Sequence, residues 1–142
     1  MRVLLDVNVL IALLDAAHQH HALAWDWFEP NIHAGWASCP ITQNGYVRIV
    51  SQAGYPNRTS TFDAMARLRG ATSAPQHSFW PDSLSLLDIG LIDATRVHGP
   101  RQLTDLYLLA LAVSNQGRLL TFDRAIAIGA VRGAADEHLV RL

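Results

Sequence analysis

The chain alternates short, uninterrupted apolar runs with longer segments in which apolar residues return every three or four positions. Val3-Leu4-Leu5 has no polar break and stops at Asp6, the pattern of a strand buried on both faces. Val7–Leu14 follows as a predicted helix. His18–Phe28 reads as another, with Leu23 and Trp27 four apart on one face and Glu29-Pro30-Asn31 as its stop. Gly35–Ser38 is a second short strand. Pro40, at a first helical position, opens a helix to about Ser51 that Gly54 and Pro56 halt. Ser60, with Asp63 three residues on, starts the next helix in a capping-box arrangement, and Gly70 closes it. Ala71–Ser83, with Pro75 and Pro81, reads as loop holding at most a short edge strand. Thr104 is a good N-cap for an apolar helix Asp105–Asn115 ended by Gly117; Arg118–Phe122 is a further buried strand stopping at Asp123, and His138–Leu142 the last. Such alternation predicts a mostly parallel sheet covered by helices on both sides.

Composition narrows the class. The 142 residues are 50% hydrophobic and 16% charged, which fits one globular domain over residues 1–142, long enough to fold on its own core. Any bound metal is then expected to be functional rather than a structural staple. Cys39 is the only cysteine, so no intramolecular disulfide forms and a reducing, cytoplasmic setting is expected. No apolar stretch is long enough for a membrane span. A net charge of −1 argues against a general electrostatic grip on nucleic acid but leaves room for a local basic strip. All eleven basic residues are arginine, whose planar fork suits phosphates and carboxylates, although codon bias alone explains such usage.

The chemistry lies in the acids at strand ends. Asp6 and Asp123 each end a predicted buried strand, so in a parallel sheet both emerge at the carboxyl edge, where open α/β folds bind ligands. A carboxylate after a central buried strand needs a cleft, a partner or a cation. Asp123 is equally explained as a turn cap before Arg124. Asp105 opens a helix, a place that the helix dipole and solvent also explain, and spacing alone leaves open which sheet edge it occupies. If the three do converge, they repel one another unless a hard cation neutralises them, and oxygen-only ligation suits Mg²⁺ or Mn²⁺ rather than zinc. Such a cation activates water and holds a phosphate oxygen.

These segments resemble, in order and nearly end to end, the PIN-domain ribonucleases, and within them the VapC-type toxins of bacterial toxin–antitoxin modules. The matching stretches are Leu4–Leu13, Cys39–Gly45, Phe79–Asp82, Leu103–Ala112 and Leu120–Arg124. The resemblance implies a three-layer α/β/α sandwich with a central, mostly parallel sheet of four to five strands. It further implies Mg²⁺-dependent endoribonuclease activity, with Mn²⁺ able to substitute, inhibition by a small cognate antitoxin, and assembly as a homodimer or, with antitoxin, a heterotetramer or larger. Asp6 and Asp105 match the principal metal-binding acids of the family and Asp123 its further acid, which places Asp105 with the other two. Asn8 matches a residue that supports the first aspartate, and Thr104 is expected to do the same for Asp105. Many members carry a glutamate early in the helix that starts at Pro40; this chain reads Gln43-Asn44-Gly45-Tyr46, so one cation rather than two is expected.

Other residues have plainer explanations. His18, His20 and His21 fit an exposed helix entrance that touches RNA phosphates at most. Trp25, Trp27 and Phe28 are read as a dimer or antitoxin surface rather than a base-stacking platform. Asp82, Asp88 and Asp93 lack a strand-end context. Arg48, Arg101 and Arg124, each close to a matching segment, are the candidates for phosphate contacts. The alternatives are a PIN-like binding module that captures RNA or protein without cutting it, and a phosphohydrolase or receiver domain. The absence of a second aspartate at Asn8 and of any lysine disfavours the latter two.

Overall fold

The apolar runs pair with one another. In the computed structural model, which describes Met1–Leu142, five strands form one sheet: β1 (Val3–Leu5), β2 (Trp36–Ser38), β3 (His77–Phe79), β4 (Arg118–Thr121) and β5 (Leu139–Arg141). Their order is β3-β2-β1-β4-β5 and every adjacent pair is parallel. Alternation along the strands feeds two cores. Leu4, Ala37, Leu119 and Leu139 face one; Val3, Leu5, Trp36 and Leu120 face the other. The helices α1 (Val7–Leu14), α2 (His21–Asn31), α3 (Pro40–Val50) and α4 (Thr61–Thr72) cover the second face. The first is covered by α5 (Leu103–Ser114) with the segments around Ile92, Ile126 and Val131. Side chains such as Leu4, Leu10, Leu109 and Leu119 are fully buried, each contributing about 1.5–3 kcal/mol. This is the three-layer α/β/α sandwich expected, with all its strands parallel. No helix is long and apolar enough to cross a membrane.

Several boundaries differ from the sequence reading, each for a local reason. The second helix starts at His21, not His18, because the preceding residues form hydrogen-bonded turns in which His18 Nδ1 accepts from the His20 N–H (3.0 Å). It also runs through Pro30, where the Asn31 side chain donates to the Trp27 carbonyl (2.7 Å) and satisfies the helix end. Its inward residues are Ala24 and Phe28, while Leu23 is exposed. Gly70 does not close α4, which continues to Thr72 and is capped at Ser73. β3 is the edge strand, His77–Phe79. Thr104 is not an N-cap: a 3₁₀ turn, Pro100–Gln102, runs directly into α5, which begins at Leu103. β4 stops at Thr121, one residue short of Phe122, and β5 occupies Leu139–Arg141.

The turn between α5 and β4 divides two roles that the sequence assigns to Gly117 alone. Gln116 takes the left-handed conformation (φ +56°), whereas Gly117 provides space: a Cβ there would lie 2.6 Å from the Arg2 carbonyl oxygen and 2.6 Å from the Trp80 ring. Neither neighbour yields easily, so Gly117→Ala is expected to destabilise the protein by about 1–3 kcal/mol. Gln116→Gly is expected to stabilise it by up to about 1 kcal/mol. Denaturant-unfolding midpoints of the two variants, moving in opposite directions, are the check.

Candidate active site

With β2 and β3 on one side of β1 and β4 and β5 on the other, the crevice of this sheet lies between the carboxyl ends of β1 and β4. Asp6 is the first residue beyond β1, and Thr121 is the last of β4. The placement of Asp105, which spacing alone leaves open, follows from connectivity. α5 joins parallel β4 through a short turn and must run back along the sheet; its twelve residues, rising about 1.5 Å each, carry its first turn to the carboxyl edge.

Asp6 is buried, with 7% of its surface exposed, and it N-caps α1: Oδ1 accepts from the Val7 N–H (2.7 Å). Oδ2 accepts from the Thr121 hydroxyl (2.7 Å), and that hydroxyl in turn accepts from the Asp123 N–H (3.0 Å). One hydroxyl thus fixes both the first carboxylate and the backbone that carries the third. Asp123 also behaves as the turn cap considered from sequence, since its Oδ1 accepts from the Ala125 N–H (2.7 Å).

The three acids act on one another electrostatically. Burial pushes the Asp6 carboxyl above its ordinary range; the bonds from Thr121 and Val7 only partly offset this, and the charge of Asp123 adds to it. Asp105 is pushed up to about 7, first by burial, then by the charge of Asp6, and by the neighbouring Asp123 carboxyl. No basic side chain relieves them, for the ion pairs of the chain are Arg96–Asp93 and His138–Glu137.

No three acidic, histidine or cysteine side chains surround a common point at ligating distance, so the trio is a donor set rather than a formed coordination shell. Its chemistry fits a hard divalent cation: the donors are all carboxylate oxygens, they are uncompensated, and burial together with the neighbouring carboxylates holds the Asp105 proton near neutrality.

The remaining candidates are placed less centrally. Asn8 and Thr104 are exposed and neither hydrogen-bonds to an acid; the support expected from them comes from Thr121. The signal for Thr121 is a hydroxyl ending an otherwise apolar buried strand and alternating with Leu120, so that it shares the α5 face with Leu119. Arg101, in the turn before α5, and Arg124, after Asp123, are exposed beside the crevice, with Arg124 reaching the Leu142 carbonyl (3.5 Å). Arg48 lies in the last turn of α3, about 12 Å along it from Pro40, and is not at this edge. Gly45 presses on α1, where a Cβ would stand 2.7 Å from Val7 Cγ2, so position 45 has no room for an acidic side chain. The histidine cluster is absorbed locally: His21 Nδ1 meets the Ala12 carbonyl (2.7 Å) at the end of α1, and the His20 ring packs on Phe122 with centroids 5.1 Å apart. Trp25 Nε1 likewise donates to the Leu13 carbonyl (3.0 Å), Phe28 is core, and Trp27 lies under Arg118. Asp88 and Asp93 cap turns.

Fold and crevice together define an α/β/α protein with an acidic site at its topological switch point. No protein-family model matches the chain. It is 52% identical over 142 residues, all of both chains, to Ribonuclease VapC44 of Mycobacterium tuberculosis, and 44% identical over 137 residues, 96% of this chain and 99% of the relative, to Ribonuclease VapC39 of the same organism. A chain in the crystal structure of VapBC2 from Rickettsia felis bound to a DNA fragment from their promoter shares the fold, with a TM-score of 0.61 at 14% identity, covering 100% of this chain and 99% of that one. The chain belongs to the VapC family of PIN-domain proteins.

A carboxylate whose pKa is raised on folding destabilises the fold as pH climbs from its unfolded value, about 3.9, towards about 7; below both values the effect vanishes. In cation-free buffer at pH 7.5, Asp105→Asn is therefore expected to stabilise the protein by about 1–2 kcal/mol after allowance for its partial exposure. Thermal unfolding from pH 4 to pH 7.5 should show the gain growing with pH.

Proposed function

We propose that this chain is a divalent-cation-dependent endoribonuclease, the toxin of a toxin–antitoxin pair, acting on RNA in the cytoplasm and silenced by a cognate antitoxin. The observation that carries the reading is the uncompensated trio Asp6, Asp105 and Asp123 at the switch point, with Asp105 raised to about 7. The names of the relatives at 52% and 44% identity support the reaction class.

Asp6, Asp105 and Asp123 would hold Mg²⁺, with Mn²⁺ as a substitute. Bound there, such an ion lowers the pKa of a water and neutralises charge on the scissile phosphate. Loss of the Asp105 proton readies the trio for the cation. Thr121 fixes the Asp6 carboxylate through its hydroxyl and Asp123 through its backbone, so both are oriented before substrate arrives. The N-terminal ends of α1 and α5 lie at the edge where an anionic phosphate would enter, the favourable end of the helix dipole. Arg101 and Arg124 flank that entrance and can grip neighbouring phosphates. No histidine hydrogen-bonds to the trio, and none is needed as a base.

For the antitoxin, the supporting feature is an apolar groove of about 180 Å³ between α1, α2 and α4, lined by Leu10, Leu14, Trp25, Phe28, Ile32 and Trp36 among others. An amphipathic segment fits such a surface. Trp25 is the exposed aromatic of this groove and Phe28 forms part of its buried floor, so the partner role read from the aromatic trio would fall mainly to Trp25.

Asp6→Ala is expected to lower Mg²⁺-dependent RNA cleavage more than about 100-fold, beyond what loss of a supporting hydrogen bond causes, and Thr121→Val by about 10–100-fold. Chelation by EDTA should abolish cleavage and Mn²⁺ restore it. A discontinuous assay on total RNA, with circular dichroism confirming the fold, decides; full activity of Asp6→Ala, or activity in EDTA, contradicts the assignment.

A further inference from the structure

The chain carries a net charge of −1, yet residues 40–72, the α3–α4 hairpin, hold four arginines (Arg48, Arg58, Arg67 and Arg69) against one acid, Asp63. A third of the basic charge therefore sits on one helical pair while the rest of the chain is acidic on balance. Between the two helices lies a cavity of about 320 Å³ with Val47, Met65 and Leu68 as apolar walls and Gln43, Asn44 and Arg69 as polar ones.

The polar walls are presented to a ligand rather than spent on the fold. Arg69 is exposed and in no ion pair, and Asn44 is exposed. Gln43 is held from behind: its Nε2 donates to Ser38 Oγ (3.0 Å), which lies 2.8 Å from His77 Nε2. Ser38 is fully buried, so its hydroxyl is held between Gln43 and His77, whose imidazole burial pushes below its usual range. With Nε2 committed, Gln43 offers Oε1 as a fixed acceptor.

The cavity is also next to the chemistry. α3 begins two residues beyond β2 at the carboxyl edge, and Gly45 packs on Val7, whose N–H holds Asp6. Apolar walls for a base, carboxamides for its edge, and a free guanidinium for a phosphate are the components of a single-strand subsite. A second copy of this chain is the less suited occupant, because a twofold contact would bring positive hairpins together.

We propose that the α3–α4 groove is an RNA subsite: it seats a nucleotide flanking the scissile phosphate, with Gln43 and Asn44 on the base and Arg69 on the backbone. This rests on the ribonuclease reading. Ser38 acts as a positioning residue for Gln43.

The test uses an Asp6→Asn background, so that RNA is bound but not consumed, and follows the fluorescence anisotropy of a labelled single-stranded oligoribonucleotide. Arg69→Glu, at an exposed site, is expected to weaken binding about tenfold or more and to reduce the salt slope by about one. Val47→Trp should weaken binding similarly by filling the groove, and Ser38→Ala about two- to fivefold with the salt slope unchanged. Arg96→Glu, paired with Asp93 outside the hairpin, is the reference and should change binding less than about twofold. Parent-like affinity and salt slope for Arg69→Glu overturn the subsite while leaving the ribonuclease reading intact. So does unchanged RNA affinity accompanied by dissociation of a dimer in sedimentation, which would make the groove an interface between copies. A parent protein that neither binds nor cuts RNA overturns both readings.

Discussion

Three carboxylates are crowded into a half-buried crevice with no cationic side chain to answer them. Their burial, and after it their mutual repulsion, is the constraint around which the carboxyl edge of the sheet is organised. The sheet imposes it. β1 and β4 are adjacent and buried on both faces, so their ends cannot move apart without exposing Leu4, Leu5, Leu119 and Leu120, and α5 delivers Asp105 to the same edge. The apolar cores stabilise an arrangement that electrostatics opposes, the usual exchange of stability for function at a polar site in a low-dielectric setting.

Asp15 shows what a structural acid looks like in the same molecule. Its surface is as covered as that of Asp6, at 5% exposure against 7%, but it lies shallower, beside the open pocket at Tyr55 and Asn57, and its carboxyl is held below the ordinary range. Burial works against it too, but Tyr55, Asn57 and the Ala17 N–H all donate to it and outweigh that effect, tying the α1–α2 turn to the α3–α4 loop. Asp6 has donors enough to be oriented and too few to be satisfied. Its remaining lone pairs, with those of Asp105 and Asp123, are what a hard cation would take up.

Much of this was legible in the sequence. Asp6 and Asp123 were readable because uninterrupted apolar runs end on them, and both strands form where the runs lie. Asp105 needed more, since its edge depends on chain direction through the sheet, which periodicity does not encode; the resemblance gave it, and the parallel pairing of β1 and β4 explains it. Thr121 was missed because a threonine inside a β-branched-friendly strand carries no signal until its cross-strand neighbour is known. Asn8 was expected from the resemblance and Thr104 beside it, but both side chains are exposed and make no hydrogen bond to an acid, since neighbouring positions in a first helical turn point in different directions. Of the histidine cluster and the aromatic trio, His21 and Trp25 satisfy carbonyls near the end of α1 and only Phe28 is buried, a division that depends on how α2 packs on α1 and not on residue type. Gly45 read as a missing acid; Val7 makes it a packing requirement.

The central claim is that Asp105 retains its proton near neutrality through burial beside two other carboxylates, and that a divalent cation at the trio offsets both effects. Carboxyl-carbon NMR of selectively labelled protein, titrated with and without Mg²⁺, tests this most directly. The Asp105 resonance should titrate near 7 in cation-free protein and move below about 5 when Mg²⁺ is saturating. An Asp105 midpoint near 4 that ignores Mg²⁺ would contradict it.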